Sequence, residues 1–308
     1  MPVRRAVRDA STLEGVPTIE SLAVPETRHI AELERVAAAV ALDAARFVVD
    51  HRPQDLQAVT KSSRTDVVTV MDQAAQERIL AALAQARPDD AVLGEEAGGS
   101  SGISGITWVV DPIDGTTNYL YGLPPYAVSV AAVVGDPRTG GGWRPVAGAV
   151  VDAACGTSYQ AGLGLGARRI DAHGAVTPLK AAPAPDLGTA LVATGFGYRA
   201  PRRAAQARVL LDLLPQVRDI RRLGSAAIDL CHLAAGQVDA YYETGLNPWD
   251  MAAGWLVCTE SGIVVGGLGG PEDLVPAEEL LWACPQGLVT AYGGLVAGLT
   301  VRHKVPQS

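Results

Sequence analysis

Carboxylates follow apolar segments at four separate places in the amino-acid sequence. A buried strand that ends in a carboxylate is costly unless a cation meets the charge. No cluster of His or Cys accompanies these acids, so ligation by oxygen alone favours Mg²⁺ over zinc, and several carboxylates favour two or more ions. The acids are Asp72, the adjacent Glu95 and Glu96, the pair Asp111 and Asp114, and Asp250.

The pair Asp111 and Asp114 stands in a segment suited to a sharp turn. Pro112 fixes one backbone angle and Gly115 lets the chain bend. Both carboxylates and the carbonyl oxygen of Ile113 can then point at one spot, as hard oxygen ligands of Mg²⁺ do. For this segment alone, an Asp-Pro turn in which Asp114 caps a helix is the structural alternative.

Each of the other acids also has a structural alternative. Asp72 lies where the N-cap of a helix belongs, and Asp250 lies near a helix N-terminus, where an acid can cap the helix. Adjacent acids such as Glu95 and Glu96 are commonly a solvated turn. Four such places in one chain favour a shared cation over four unrelated caps and turns.

A carboxylate site with several metal ions beside a helix N-terminus suits the hydrolysis of a phosphate ester. Gly224 and Ser225 precede a predicted helix, whose free backbone N–H groups would form an anion site; an ordinary Ser225 N-cap is the alternative. The hydroxyl of Thr116 beside Asp72 could orient the attacking water and accept its proton.

The elements that must position these residues follow from apolar periodicity. A helix is predicted over Ile30 to Val49, strands of an antiparallel sheet over Tyr126 to Val134 and Val146 to Val151, and a hairpin at the glycine run from Gly162 to Gly166. The second half alternates strand and helix. The predicted division is a flexible tail over 1–28, a lobe with most metal ligands over 29–180, a lobe with substrate-binding residues over 181–302 and a tail over 303–308.

Composition limits the class of protein. Of 308 residues, 48% are hydrophobic, and 25 basic against 33 acidic residues give a net charge of −8, which argues against direct nucleic-acid binding. The sequence has four cysteines in apolar contexts and no CxxC, which predicts buried free thiols in a reducing compartment. We expect no membrane contact and a cytoplasmic location, since we find neither a secretory signal nor a long apolar run.

Five ordered motifs resemble those of the inositol monophosphatase family over about residues 30 to 300. The first family signature, W-x-[IV]-D-P-[IL]-D-G-T-x-N-[FY], matches Trp108 to Tyr119, and the second, W-D-x-A-A-G, matches Trp249 to Gly254. The other matching segments are Lys61 to Asp72, Gly94 to Glu96, and Arg221 to Cys231 followed by Asp239 to Glu243.

The resemblance implies an α/β (α+β) fold, a layered α/β/α/β/α sandwich of the inositol monophosphatase and sugar phosphatase type. It also implies a homodimer, dependence on two or three Mg²⁺ ions and inhibition by Li⁺. The implied metal ligands are Glu95, Asp111, the Ile113 carbonyl, Asp114 and Asp250; the implied catalytic residues are Asp72, Thr116 and Glu95; the implied substrate-binding residues are Asp114, Gly115, Thr116, Ser225, Ala226, Glu243 and Asp250. Lys61 lies on what is a mobile loop in the family.

The leading hypothesis is therefore Mg²⁺-dependent hydrolysis of myo-inositol 1-phosphate. Sibling activities on histidinol phosphate, 3′-phosphoadenosine 5′-phosphate or fructose 1,6-bisphosphate are alternatives, because Asn247 and Pro248 stand where inositol-specific animal members have His and Cys. Some bacterial members also act as partners of RNA-processing or transcription machinery, which is an alternative of another class.

Overall fold

The computed structural model describes residues 19–54, 58–60, 67–96, 99–139 and 142–306. Lys61 and residues 1–18 of the predicted tail lie outside them. The helices are α1 Thr27–Asp50, α2 Val70–Ala86, α3 Thr116–Tyr121, α4 Ala200–Leu213, α5 Ala226–Ala234, α6 Pro248–Ser261 and α7 Gly294–Arg302. The strands are β1 Ala58–Thr60, β2 Val67–Thr69, β3 Ala91–Gly94, β4 Ile106–Asp114, β5 Ala127–Gly135, β6 Trp143–Asp152, β7 Thr157–Gly162, β8 Gly166–Ile170, β9 Val176–Pro178, β10 Leu191–Thr194, β11 Asp219–Arg221, β12 Ala240–Glu243, β13 Ile263–Gly266 and β14 Leu281–Pro285.

The larger sheet has seven strands in the order β3-β4-β5-β6-β7-β8-β9. Only β3 and β4 run parallel, and the remaining neighbours pair antiparallel. Trp108 and Val110 of β4 pack with α1 and α2, whereas Val109 packs in the cluster that contains α5 and α6. Because successive side chains of a strand point to opposite faces, a strand covered on both sides is apolar on both faces, as β4 is from Trp108 to Val110.

The smaller sheet has five strands in the order β11-β10-β12-β14-β13. Tyr241 and Ala283 pack with α5 and α6, and Tyr242 and Trp282 on the opposite face pack with residues of α4 and α7. Helices α5 and α6 are therefore shared between the two sheets. The resulting order of layers confirms the predicted α/β/α/β/α sandwich.

Several local predictions are confirmed and two are wrong. The long helix, the two antiparallel strands and the hairpin of Gly162 and Gly166 form as expected. Asp72 is not the N-cap of α2: Thr69 is, because the backbone of Thr69 is still extended and the helix begins at Val70. Cys155 is free but exposed, since it lies on the turn between β6 and β7, whereas the other three cysteines are buried and free as predicted.

No helix in the described part of the chain has both the length and the apolarity needed to cross a membrane.

Candidate active site

The turn after β4 brings its two aspartates to one edge of the larger sheet. Pairing of β4 with β5 shifts register between Asp111 and Asp114, and the Ile113 backbone N–H donates to Asp111 Oδ1 at 3.0 Å. Gly115 follows with φ +95°, and a Cβ at this position would lie 3.1 Å from the carbonyl oxygens of Gly224 and Pro125. The turn therefore requires glycine, both for its dihedral angle and for the close approach of the neighbouring backbone.

Asp111, Asp114 and Asp250 form a compact acidic cluster. One carboxylate oxygen from each lies within 4.8 Å of the others. Burial, followed by the charges of Glu95, Asp114 and Asp250, raises the pKa of Asp111 well above its ordinary value. Burial likewise raises the pKa of Asp250, with Asp114 and Glu95 adding to it. The carboxylates of this cluster repel one another, so the donor set fits a divalent cation with oxygen ligands.

Glu95 joins this cluster from the end of β3. Its backbone N–H donates to the carbonyl oxygen of Val110 at 3.2 Å, which holds it beside the end of β4. A hydrogen bond between its side chain and Asp111 contributes to the raised pKa of Asp111. The backbone of Glu96 is held at α2 instead, because its N–H donates to Gln76 Oε1 at 2.9 Å. Of the two adjacent glutamates, Glu95 is thus the one brought to the cluster.

Asp72 and Thr116 form a buried pair next to the acidic cluster. Thr116 Oγ1 lies 3.0 Å from Asp72 Oδ1 and 3.0 Å from the carbonyl oxygen of Ile113. The other oxygen of Asp72 accepts from the backbone N–H of Thr69 at 2.8 Å and from the Thr69 hydroxyl at 2.6 Å. Asp72 is therefore fixed in orientation, with one oxygen left for the Thr116 hydroxyl.

The N-terminus of α5 binds the carboxylate of a side chain of the protein, and Ser225 caps the helix, which was the structural alternative. Asp114 Oδ2 accepts from the Ser225 hydroxyl at 2.6 Å and from the Ala227 backbone N–H at 2.7 Å. Ser225 is also the N-cap, because its Oγ accepts from the Ile228 backbone N–H at 3.3 Å. Burial raises the pKa of Asp114, while these donors and the Ala226 N–H lower it.

A cavity of about 200 Å³ opens beside the cluster. The structure brings five predicted site residues together in its lining: Asp114, Ser225, Ala226, Glu243 and Asp250. Glu243 Oε2 accepts from the Tyr241 hydroxyl at 2.7 Å, and burial raises the Glu243 pKa to about 7. A Cβ at Gly195 would overlap with the Glu243 carboxylate, so glycine at that position keeps room for it.

The sequence did not point to several residues of this cavity. Arg222 lines it, and its positive charge lowers the pKa of Asp114 and of Glu243. Asp229 lines it from within α5, and the signal that could have identified it is an acid in an otherwise apolar stretch of helix. The others are Arg202 of α4 and Gly195, Phe196, Gly197, Tyr198, Arg199, Thr244, Gly245 and Leu246, which lie in loops with no site-like pattern.

Comparison with known proteins agrees with this geometry. The model of the inositol monophosphatase family matches residues 29–302. The inositol-1-monophosphatase of Mycobacterium leprae is 45% identical over 267 residues, which cover 80% of this chain and 89% of that protein. The Nus factor SuhB of Pasteurella multocida is 37% identical over 237 residues, covering 76% of this chain and 84% of that protein. The solved structure of Mycobacterium tuberculosis SuhB superposes with a TM-score of 0.71 at 41% identity, covering 87% of this chain and 97% of that one.

The chain belongs to the inositol monophosphatase family. It is accordingly a phosphatase, a hydrolase of phosphoric monoesters, and its family depends on metal ions. The cluster of Asp111, Asp114 and Asp250 is a set of ligands that could hold such an ion.

Proposed function

We propose that this protein hydrolyses the phosphate monoester of a small polyhydroxyl alcohol with Mg²⁺, and that myo-inositol 1-phosphate is its leading substrate. The observation that carries the proposal is the position of the Thr116–Asp72 pair. Thr116 Oγ1 also donates to the carbonyl oxygen of Ile113 at 3.0 Å, in the turn that carries two of the three carboxylates whose oxygens come within 4.8 Å of one another. The name of the Mycobacterium leprae relative supports the choice of alcohol.

In this proposal Glu95, Asp111 and the Ile113 carbonyl would hold one ion. Asp111, Asp114 and Asp250 would hold a second, and Glu95 would help to hold a third. When bound, the ions would lower the pKa of a water and stabilise charge on the ester oxygens. Carboxylates this close repel one another when no cation is bound, and a bound cation would turn them into its ligands. The site therefore favours Mg²⁺, which takes oxygen ligands.

The side chains of the protein supply the proton path. Thr116 Oγ1 accepts a proton from the attacking water while its own proton moves along the 3.0 Å contact to Asp72 Oδ1. Asp72 can take this role because its second oxygen is already held by Thr69, which fixes the carboxylate toward Thr116. Gly115 and Thr116, at the start of α3, would contact the phosphate.

The alcohol portion of the substrate would lie in the adjoining cavity. Ser225 and Ala226 line it at the start of α5, and Glu243 lines it at the end of β12. A carboxyl group such as Glu243 can accept a hydrogen bond from a hydroxyl. The sibling substrates of the family differ in this alcohol portion, so the cavity decides among them.

The test is phosphate release from a panel of inositol, sugar, histidinol and nucleotide phosphates, with Mg²⁺ and with a chelator. We expect Mg²⁺-dependent turnover with the highest kcat/KM for inositol 1-phosphate. Asp111→Asn serves as the inactive control. Turnover that survives chelation, or a substrate without hydroxyls as the best one, would contradict the proposal.

A second candidate function is suggested by one relative, the Nus factor SuhB of Pasteurella multocida. The chain would then also act as a partner of transcription or RNA-processing machinery, through a protein contact, because its net charge of −8 disfavours direct RNA binding. A pull-down that survives Asp111→Asn would favour this role. The homodimer, inhibition by Li⁺ and the cytoplasmic location stay predictions.

A further inference from the structure

Asp229 is a buried acid in an apolar helix. It is the fourth residue of α5, one turn after Ser225, and its backbone N–H donates to the Ser225 carbonyl oxygen at 2.9 Å. Its immediate neighbours Ile228 and Leu230 are fully buried, and Asp229 itself is 1% exposed. Nothing in the helix requires an acid here, because Ser225 and the Asp114 carboxylate already satisfy the helix N-terminus.

The carboxyl group of Asp229 has no partner within the described part of the protein. Oδ1 is buried and receives no hydrogen bond from any described residue. Burial, followed by the charges of Glu243 and Asp114, raises the pKa of Asp229 well above its ordinary value, and the charge of Arg222 offsets this only in part. A buried carboxyl that lacks donors costs stability, because it has lost the water that solvated it.

The position of Asp229 points to a ligand as the missing partner. Asp229 lines the same cavity as Glu243 and Asp114. Glu243 has one donor already, the Tyr241 hydroxyl, whereas Asp229 has none. A molecule in this cavity would therefore meet two carboxyl groups and find the unsatisfied acceptor at Asp229.

The partner that fits these carboxyl groups is a neutral hydrogen-bond donor. The cavity is lined by four acids and three arginines, so the charges of its lining nearly cancel and require no charged partner. A hydroxyl group of the alcohol portion of the substrate is such a donor.

We propose that Asp229 is a specificity-determining residue whose carboxyl group accepts a hydrogen bond from a hydroxyl of the alcohol portion of the substrate. Together with Glu243 it selects phosphate esters of alcohols that carry several hydroxyls. The inference rests on the proposed phosphatase function. It adds Asp229 as a residue that contacts the substrate and states which class of alcohol the cavity accepts.

The experiment compares wild type, Asp229→Ala and Asp229→Asn on myo-inositol 1-phosphate and on 4-nitrophenyl phosphate, which has no alcohol hydroxyl. For Asp229→Ala we expect KM for inositol 1-phosphate to rise about tenfold, or about 1.4 kcal/mol, with kcat little changed. On 4-nitrophenyl phosphate kcat/KM should stay within about twofold. Asp229→Asn keeps an acceptor oxygen and should recover most of the affinity.

The melting temperature distinguishes a substrate contact of Asp229 from a structural role. Removing an unpaired buried carboxyl should leave the melting temperature of both Asp229 variants equal to or above that of wild type. Asp90→Asn is the matched control, because Asp90 is 4% exposed but is held by Arg87 and by Trp108 Nε1, and it lies outside the cavity. That variant should melt at a lower temperature and keep the KM of wild type.

Equal losses on both substrates, or an unchanged KM for inositol 1-phosphate in Asp229→Ala, would overturn the inference. So would a wild-type preference for ethanolamine phosphate over the polyol ester. Calorimetry of inositol 1-phosphate binding to wild type and to Asp229→Ala measures Kd independently of turnover. Equal Kd values would also overturn the inference. Failure of the proposed function is distinguishable, since wild type would then bind the ester without releasing phosphate.

Discussion

The Thr116–Asp72 pair makes the sharpest prediction for the reaction. Thr116→Ala removes the hydroxyl that lies 3.0 Å from Asp72 Oδ1, and Asp72→Asn replaces the proton acceptor by an amide. Loss of general-base assistance lowers kcat by about 10²–10⁴-fold. Each single variant should lose this amount, which corresponds to about 3–5 kcal/mol of barrier.

The double variant tests whether the two residues serve one step. If Thr116 and Asp72 act as a unit, Thr116→Ala combined with Asp72→Asn should be little worse than the slower single variant. Independent roles would instead multiply the losses, to about 10⁴–10⁸-fold on the same scale. Steady-state phosphate release at saturating substrate and Mg²⁺ separates these outcomes. Thr116→Ser keeps the hydroxyl and should retain most of the activity.

Stability of the Asp72 variant distinguishes catalysis from helix capping. Asp72 accepts two hydrogen bonds from Thr69 as the third residue of α2. Asp72→Asn keeps one acceptor oxygen for the capping box and should therefore lower stability only slightly. A small fall in melting temperature together with a large fall in kcat fits the proposal. A fall in melting temperature with unchanged kcat, or fully multiplicative losses in the double variant, would refute the paired proton path.

Three further predictions concern the acids and the cavity. Asp111→Asn should abolish turnover yet raise the melting temperature of the metal-free protein, because it removes a buried charge that Asp114 and Asp250 repel; activity near that of wild type at saturating Mg²⁺ would contradict it. Gly195→Ala should raise KM for inositol 1-phosphate by about tenfold, because its Cβ would displace the Glu243 carboxyl, and the same KM in kinetic assays would argue against it. Burial raises the pKa of Glu243 from 4.5 to about 7, so between these pH values the folded protein keeps a proton on Glu243 that the unfolded chain has lost. Glu243 therefore makes the free energy of unfolding fall as pH rises from about 4.5 to about 7. Urea unfolding of the metal-free protein across this range should show a flatter decline for Glu243→Gln, and equal slopes would count against this pKa.

Most of the fold and of the acidic cluster could be predicted from the sequence, because the patterns that indicate them lie within short segments. Apolar runs that end in acids predicted where Asp111 and Asp114 lie, and the family motifs predicted the layers that the two sheets and their helices form. The N-cap of α2 was assigned wrongly, because Thr69 and Asp72 are both capping residues and local sequence does not say which backbone N–H each one meets.

The lining of the cavity could not be predicted in the same way. Most of its residues come from the loop after β10, from the start of α5 and from the end of β12. These segments are distant in sequence, and the pairing of β10 with β12 is one of the long-range contacts that bring them together. Gly195 matters because Glu243 of another strand occupies the space of its missing side chain. Asp229 had a local signal, an acid among apolar residues, but its lack of a hydrogen-bond partner is a property of the packed structure.

Helix capping and site chemistry, which the sequence presents as alternatives, coincide at three acids of this protein. Asp72 uses Oδ2 for the capping box of α2 and Oδ1 for Thr116. Asp250 Oδ2 accepts from the Asn247 backbone N–H at 2.7 Å at the start of α6, and Asp114 Oδ2 accepts from the start of α5. A carboxylate has two oxygens, so a helix N-terminus can hold one and thereby aim the other. The ends of α2, α5 and α6 thus fix the orientation of the site acids without the flexibility that a loop would leave them.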